Sequence, residues 1–290
     1  MNKTRVLFAL LLPCLFAYSQ EPPFAVNRVF GPGEKLQFEV KYGFIPGGFG
    51  KLEVIDTVRV RGHLCFQVRA VAHSNATLSL VFPVRDTNLS LIDVNGLYSH
   101  EMVKIIREGS YKRYRTMEFY PNTGTAVTTD YTVKKDSTLK IEPYLHDIMS
   151  AFYYFRTLNV TDSVDLKCLD DYKTYPLRIK IVGRETVKTP LGKFPCIEVE
   201  PMLASSGIFL KKGRMLLWMT DDERKLPVMV KFKLSFLGDI TCYLTDYNPP
   251  DIIPQTPPPA AIPLLQPRDS LKSQDSTVKH DSTSTPHLPR

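Results

Sequence analysis

The stretch GEKLQFEVKYGFIPGGFGKLEV, residues 33–54, decides the fold, because it holds two strands and the turn between them. Apolar side chains occupy every second position of its first half, at Leu36, Phe38, Val40 and Tyr42. This two-residue period is typical of a half-buried strand. The run GFIPGG at 43–48 then predicts a turn, and a second strand follows over 49–60.

The same pattern recurs through the middle of the chain, where further strands are predicted with turn residues between them. These strands cover 64–73, 76–82, 87–94, 97–107, 112–120, 125–134, 162–169, 173–190, 193–200, 213–220, 226–236 and 239–247. Val94-Asn95-Gly96 is a good hairpin signal between two of them. Over 226–236 the apolar residues again share one face.

One segment, YLHDIMSAFYYFRTL at 144–158, breaks the alternation and predicts a helix. Its apolar residues fall on a single helical stripe, at Leu145, Ile148, Met149, Phe152 and Phe155. A single amphipathic helix among so many strands predicts a mainly β fold. We expect a large, curved antiparallel sheet, either a half-barrel or an incomplete barrel, packed on one central helix.

The first 19 residues have the pattern of a signal peptide. Lys3 and Arg5 precede an apolar run at 6–16, and small residues at Ala17 and Ser19 suit cleavage after Ser19. The run is too short to span a bilayer. The sequence therefore predicts export, with no membrane span in the mature form. Cys14 leaves a lipid-anchored product as the weaker alternative, since Pro13 precedes it.

The composition changes after Tyr247. Residues 249–290 contain ten prolines and no aromatic residue, and they predict a disordered tail rich in Pro, Ser and Thr. The folded domain is accordingly expected over 20–248. The whole chain has a formal charge of only +7 without a basic stripe, which argues against nucleic-acid binding.

The sequence predicts no catalytic residue, metal site or cofactor. It has no HExxH, CxxC or phosphate-binding loop. Four side chains would be candidates if the protein were a hydrolase: His146, Asp171, Glu198 and Asp222. Outside the leader, the cysteines are Cys65, Cys168, Cys196 and Cys242, and an exported protein permits either disulfides or buried thiols among them.

Four stretches together resemble the DUF3108 family of exported bacterial proteins, many of them from Bacteroidota. They are residues 33–54, 147–158, 189–203 and 218–244, in the order that the family has. The resemblance implies a β-rich domain of the periplasm or outer membrane and brings no known activity. A likeness to LolA/LolB-like half-barrels, which carry lipoproteins, rests on analogy of fold alone.

The tail also resembles exported Bacteroidota proteins that are O-glycosylated at Asp-Ser/Thr motifs. Ser270, Ser276 and Ser282 each follow an aspartate and are the expected acceptors, unless the motif recurs there by composition alone.

Two functions are consistent with these features. The first is a non-enzymatic binding or structural module of the cell envelope, with a lipid, glycan or protein partner on the concave face of the sheet. Tyr153, Tyr154 and Arg156 are then expected to face that concavity. The alternative is an envelope hydrolase acting on polysaccharide or lipid.

Overall fold

The computed structural model describes residues 21–203, 213–234 and 238–257. Fourteen strands form one antiparallel sheet in the order β8-β7-β6-β5-β4-β3-β2-β1-β14-β13-β12-β11-β10-β9. The strands are β1 Lys35–Tyr42, β2 Ile45–Val60, β3 His63–Ser74, β4 Arg85–Asp93, β5 Ser99–Glu108, β6 Tyr111–Tyr120, β7 Thr125–Asp130, β8 Lys135–Lys140, β9 Ser163–Asp170, β10 Lys173–Thr189, β11 Gly192–Leu203, β12 Gly213–Thr220, β13 Pro227–Leu234 and β14 Gly238–Asn248. The helices are α1 Ala76–Ser79 and α2 Ile148–Thr157. The expected mainly β fold on one principal helix is confirmed.

Strand β1 lies in the middle of this sheet, and the strands after it follow one another outward to the edge strand β8. The chain then passes through α2 to the opposite edge at β9 and returns to β14, which pairs with β1. The two edges curl toward each other. A backbone bridge joins His146 to Cys168, and the Thr128 hydroxyl donates to the Asp171 carbonyl at 2.7 Å. The sheet is therefore an incomplete barrel.

Helix α2 starts at Ile148 rather than at residue 144, because Asp147 caps it. The Asp147 carboxylate accepts hydrogen bonds from the backbone N–H groups of Met149 (2.6 Å) and Ser150 (2.9 Å). The same carboxylate also accepts bonds from the hydroxyls of Ser90 and Ser99, so the start of α2 is fixed to β4 and β5.

Helix α2 fills the interior of the curled sheet. Met149 and Tyr153 pack into the core cluster formed by the first half of the sheet, which includes Phe66. Ala151 and Phe155 pack into a second cluster formed by strands β9 to β13. Opposite faces of one short helix thus join the two halves of the sheet.

Three predictions about local structure were wrong. Residues 76–79 are helical rather than extended, because the side chain of Asn75 accepts a hydrogen bond from the Leu78 N–H and starts a helical turn. The predicted strand 125–134 ends at Asp130 as β7, and after a turn the polar edge strand β8, which was not predicted, follows at Lys135–Lys140. Residues 249–257, expected in the tail, pack on the domain: the Gln255 side chain donates to the carbonyls of Ala25 and Val94.

The predicted signal peptide, residues 1–19, and residues 258–290 of the predicted tail lie outside the described residues. Among the described residues, no helix has the length and apolar character needed to cross a bilayer. The four cysteines within this part of the chain are free thiols, which favours the buried-thiol interpretation over disulfides.

Candidate functional site

The turns of the sheet alternate between its two ends, because every neighbouring pair of strands is antiparallel. One end carries the β1–β2, β5–β6 and β7–β8 turns and the β3–β4 connection that contains α1. Large apolar side chains are exposed along it. We call these residues the apolar end: Tyr42, Phe44, Ile45, Leu80, Val81, Phe82, Tyr111, Tyr114, Tyr131 and Val133.

Hydrogen bonds hold neighbouring turns of the apolar end together. The Asn75 side chain donates to the Pro46 carbonyl at 2.7 Å, and the Asn75 backbone N–H donates to the Gly47 carbonyl at 2.8 Å. The Gly109 N–H donates to the Pro83 carbonyl at 2.8 Å. A Cβ atom at Gly109 would lie 3.0 Å from the ring of Phe82, so the β5–β6 turn and the β3–β4 connection are in close contact.

The side chains at the tip of this surface are almost completely exposed to solvent. The exposed fraction is 90% for Phe44, 88% for Leu80 and 84% for Val81. Burying one such side chain would contribute about 1.5–3 kcal/mol. A cluster of exposed apolar residues on adjoining turns is typical of a surface that contacts a partner or a membrane.

Tyrosines and basic residues surround the apolar tip. Tyr114 stacks on Tyr131 with the ring centroids 4.6 Å apart. The guanidinium of Arg113 lies 5.2 Å from the ring centroid of Tyr111, and Lys112 beside it is exposed. Glu108 lies at the same end, and burial together with the neighbouring Asp86 raises its pKa to about 7. The border of the apolar end is therefore amphipathic.

The opposite end of the sheet has a different character. Its β2–β3 turn is Arg61-Gly62, its β6–β7 turn begins Pro121-Asn122, and its β12–β13 turn is Asp221-Asp222-Glu223-Arg224. Leu191, in the β10–β11 turn, is exposed there at 45%. Val58 at 38% and Leu64 at 37% are also exposed, beside the β2–β3 turn. The two ends therefore differ in degree: among the large apolar side chains of the described residues, only Phe44, Leu80 and Val81 are 84% or more exposed.

Tyr153 and Arg156 are fully buried, so the expectation that they face an open concavity is wrong. The Arg156 guanidinium donates to both oxygens of the Glu34 carboxylate, at 2.8 and 2.7 Å. Tyr153 packs edge-on against Phe30, with the ring centroids 4.5 Å apart. The residues before β1, including Phe30 and Glu34, cover this side of α2. No spacing in the sequence indicated these contacts.

Tyr154 is the one of the three predicted residues that lines an open cleft, of about 300 Å³. Phe24, Tyr144 and His146 also line it, and the His146 imidazole stacks on the Tyr154 ring at 5.0 Å. Burial lowers the pKa of His146 to about 4, so the imidazole is neutral at physiological pH. The cleft therefore offers aromatic surface and a neutral ring.

The chain matches one known family over most of its length. A family model described as a protein of unknown function, DUF3108, matches residues 37–245. The chain belongs to the DUF3108 family. The resemblance seen in the sequence is confirmed, and the match covers both the apolar end and α2. No curated protein matches the chain.

Several solved structures are similar to this DUF3108 chain at low sequence identity. A beta-barrel-like protein of the domain of unknown function DUF1849, from Brucella abortus, has a TM-score of 0.53 and 9% identity, covering 77% of this chain and 100% of that chain. A candidate lipoprotein from Parabacteroides distasonis has a TM-score of 0.30 and 12% identity, covering 79% of this chain and 100% of that chain. A candidate exported protein with a YmcC-like fold from Bacteroides fragilis has a TM-score of 0.29 and 14% identity, covering 78% and 99%. The first likeness supports the barrel-like fold and says nothing of activity.

The four hydrolase candidates of the DUF3108 domain lie in separate surroundings. His146 is beside Ser150 at the start of α2. The Asp171 carboxylate contacts Arg115 at 2.5 Å, and the adjacent positive charges hold the pKa of Asp171 below its usual range despite its burial. Glu198 lies on β11, and Asp222 pairs with Arg224 in the β12–β13 turn. No contact among the described residues joins them into one site.

Two further predictions concern the tail and metal ions. The predicted O-glycosylation acceptors Ser270, Ser276 and Ser282 lie outside the described residues and stay predictions. A group of potential metal ligands, however, was missed in the sequence: His63, Asp93 and His100 come together at the ends of three adjacent strands. Their separation along the chain matches no metal-binding motif, so only the strand pairing identifies them.

Proposed function

We propose that this DUF3108 protein is exported and works as a non-enzymatic binding module of the cell envelope, periplasmic or outer-membrane associated, that docks on a lipid surface through its apolar end. One observation carries this proposal: the nearly complete exposure of Phe44, Leu80 and Val81 on adjoining turns. The leader-like residues 1–19 support export to a compartment where lipid is the nearest large apolar surface.

The arrangement of the interior favours docking over carrying. A carrier of the kind suggested by the half-barrel analogy needs an open apolar cavity for an acyl chain. Here α2 occupies the interior, and Tyr153 and Phe155 are 0% and 2% exposed. An apolar ligand is therefore expected at the outer surface rather than within the sheet.

The basic border of the apolar end sets the kind of lipid. Inserting the apolar tip would contribute about 1.5–3 kcal/mol for each fully buried side chain. Each lysine or arginine near an anionic membrane adds about 1 kcal/mol, and Lys112, Lys134 and Lys135 are exposed at this border. The tyrosines of the border suit the level of the lipid headgroups. We therefore expect stronger binding to anionic than to neutral bilayers.

Cosedimentation with vesicles tests this proposal. The purified protein is mixed with vesicles of phosphatidylcholine alone or of phosphatidylcholine with phosphatidylglycerol. Phe44→Ser and Leu80→Ser should each weaken binding about tenfold, because each removes a side chain whose insertion contributes more than about 1.4 kcal/mol. The matched control is Leu191→Ser at the opposite end of the sheet, which should bind like the wild type.

Two results would overturn the docking proposal. One is a wild-type protein that sediments with neither kind of vesicle. The other is an equal loss of binding in Leu80→Ser and in the Leu191→Ser control. Binding of the apolar end to an envelope protein rather than to lipid would give the first result.

The cleft at Tyr154 supports a second candidate ligand, a small glycan unit. Its walls include the aromatic rings of Phe24, Tyr144 and Tyr154, and its volume of about 300 Å³ is at the lower limit for ligand sites. Titration with a chitin disaccharide, followed by NMR, should give shifts that Tyr154→Ala abolishes. Unchanged spectra of the wild-type protein would remove this candidate.

A further inference from the structure

Three ligand-type side chains meet at the end of the sheet opposite the apolar end. His63 is the first residue of β3, Asp93 is the last residue of β4, and His100 is the second residue of β5. Because β4 pairs with both β3 and β5, the three residues come to the same end of the sheet, where Asp93 is opposite Cys65, two residues after His63. Their potential ligand atoms all lie within 4.8 Å of one another.

The two imidazoles approach the same oxygen of one carboxylate. His100 Nε2 lies 3.1 Å from Asp93 Oδ2, and His63 Nδ1 lies 3.4 Å from it. Zinc bonds to nitrogen and oxygen are about 2.0–2.2 Å long, so neighbouring ligand atoms of a tetrahedral site are about 3.3 Å apart. Both distances are close to that spacing, and the 3.1 Å contact is also an ordinary hydrogen-bond distance. The two imidazole rings are 4.7 Å apart and are not stacked in parallel, with planes 39° apart.

The rest of the Asp93 carboxylate is already held in place. Its other oxygen, Oδ1, accepts hydrogen bonds from the backbone N–H groups of Asn95 at 2.9 Å and Gly96 at 2.8 Å. Asp93 Oδ2 is thereby aimed at the two imidazoles. A carboxylate oriented by such bonds is the arrangement found around metal ligands in proteins.

His100 lacks a second partner. The residue is 1% exposed, and its Nδ1 has no hydrogen-bond partner among the described residues. The ring is therefore held on its polar side only through Nε2, toward Asp93 and His63. Nε2 is therefore the nitrogen of His100 that is placed to act as a ligand.

We infer that His63, Asp93 and His100 form a binding site for a divalent transition-metal ion, with zinc the best match. Two imidazoles and one carboxylate suit this class of cation better than magnesium or calcium, which prefer oxygen ligands alone. The His63 side chain is 38% exposed, so the site opens to solvent on that side. Water would complete the coordination shell there.

The side chains of Cys65 and Arg61 also lie close to the three proposed ligands. Cys65 is buried next to Asp93 in the strand pairing, and its thiol donates to the His63 carbonyl at 3.7 Å. The guanidinium of Arg61 donates to the His100 carbonyl at 2.9 Å and lies 3.8 Å from the Glu118 carboxylate, which offsets its charge.

Metal titration of the purified protein, without a polyhistidine tag and after treatment with a chelator, tests this inference. Zn²⁺ binding is followed by calorimetry, and Co²⁺ binding by the visible spectrum of a tetrahedral site. The wild-type protein should bind one ion per chain. His63→Gln should weaken binding at least about tenfold. The matched control is His73→Gln, which alters a histidine of the same strand whose ring packs on Phe49 instead.

The outcomes separate this site from a purely structural cluster. A folded His63→Gln variant that binds zinc as tightly as His73→Gln would overturn the inference, and so would a wild-type protein that binds no ion. Asp93→Asn, of nearly the same shape, provides a second variant should His63→Gln unfold. The result is independent of vesicle binding, because the cluster and the apolar end are at opposite ends of the sheet.

Discussion

The buried ion pair between Arg156 and Glu34 allows a quantitative prediction about stability. Both side chains are 0% exposed, and the guanidinium donates to both carboxylate oxygens. Burial alone would lower the pKa of Arg156, but the adjacent Glu34 carboxylate raises it, so the arginine stays charged. The pair joins α2 to the segment before β1, 122 residues away in sequence.

Glu34→Gln removes the negative charge and leaves Arg156 charged within the protein. Breaking a buried ion pair from one side costs about 3–5 kcal/mol, because the remaining charge has lost its counter-ion without regaining water. The amide of glutamine would keep one hydrogen bond to the guanidinium, so we expect a loss near the lower limit. Weaker bonds of 3.4 Å to the Arg224 carbonyl would not compensate.

Urea unfolding followed by circular dichroism measures this loss. A matched control is Asp165→Asn, which breaks the pair with Arg178. That pair has the same two-bond geometry, at 2.7 and 2.7 Å, but both side chains are more than half exposed. The control should not shift the unfolding midpoint measurably. Equal shifts in the two variants would refute the argument that burial determines the effect.

Three further predictions follow from the same contacts. Tyr153→Phe should raise the free energy of unfolding by about 1 kcal/mol, since the Tyr153 hydroxyl is buried without a hydrogen-bond partner among the described residues; a loss in urea stability would contradict this. Glu108→Gln should raise the melting temperature at pH 8 and leave it unchanged at pH 4. The pKa of Glu108 in the folded state is raised to about 7, so its charged carboxylate destabilises the folded state only as the pH rises above the pKa of the unfolded chain. Equal effects at both pH values would contradict this. A reducing agent should leave the melting temperature unchanged, because the cysteines of the described residues are free thiols, and a fall on reduction would indicate a disulfide.

The strands were predictable because the sheet is half-buried along most of its length. The alternation at 36–42 becomes β1 at Lys35–Tyr42, with Leu36 and Phe38 buried. The helical stripe at 144–158 becomes α2, shortened at its start by the Asp147 cap. Local periodicity carries this information, since it reports which side chains avoid water.

Other features depended on contacts that local patterns do not record. The edge strand β8 is polar and largely exposed, so its sequence, KDSTLK, shows no apolar face. Arg156 was expected to face the concavity because its partner Glu34 lies in a different segment. The metal-type cluster likewise arises from the register of three strands. Ion pairs and ligand clusters whose members lie in distant segments can be recognised only once the tertiary fold is known.

The position of α2 favours the proposed surface ligand over an interior one. To admit an acyl chain into the sheet, α2 would have to leave one of the two halves. Release from the second half would expose Phe155, and release from the first half would expose Met149 and Tyr153. Each buried side chain of this size contributes about 1.5–3 kcal/mol, and the Arg156–Glu34 pair would add its own loss. These costs approach the whole stability of an ordinary domain, about 5–15 kcal/mol. The apolar end offers the same kind of contact without any rearrangement, so binding to lipid is expected there.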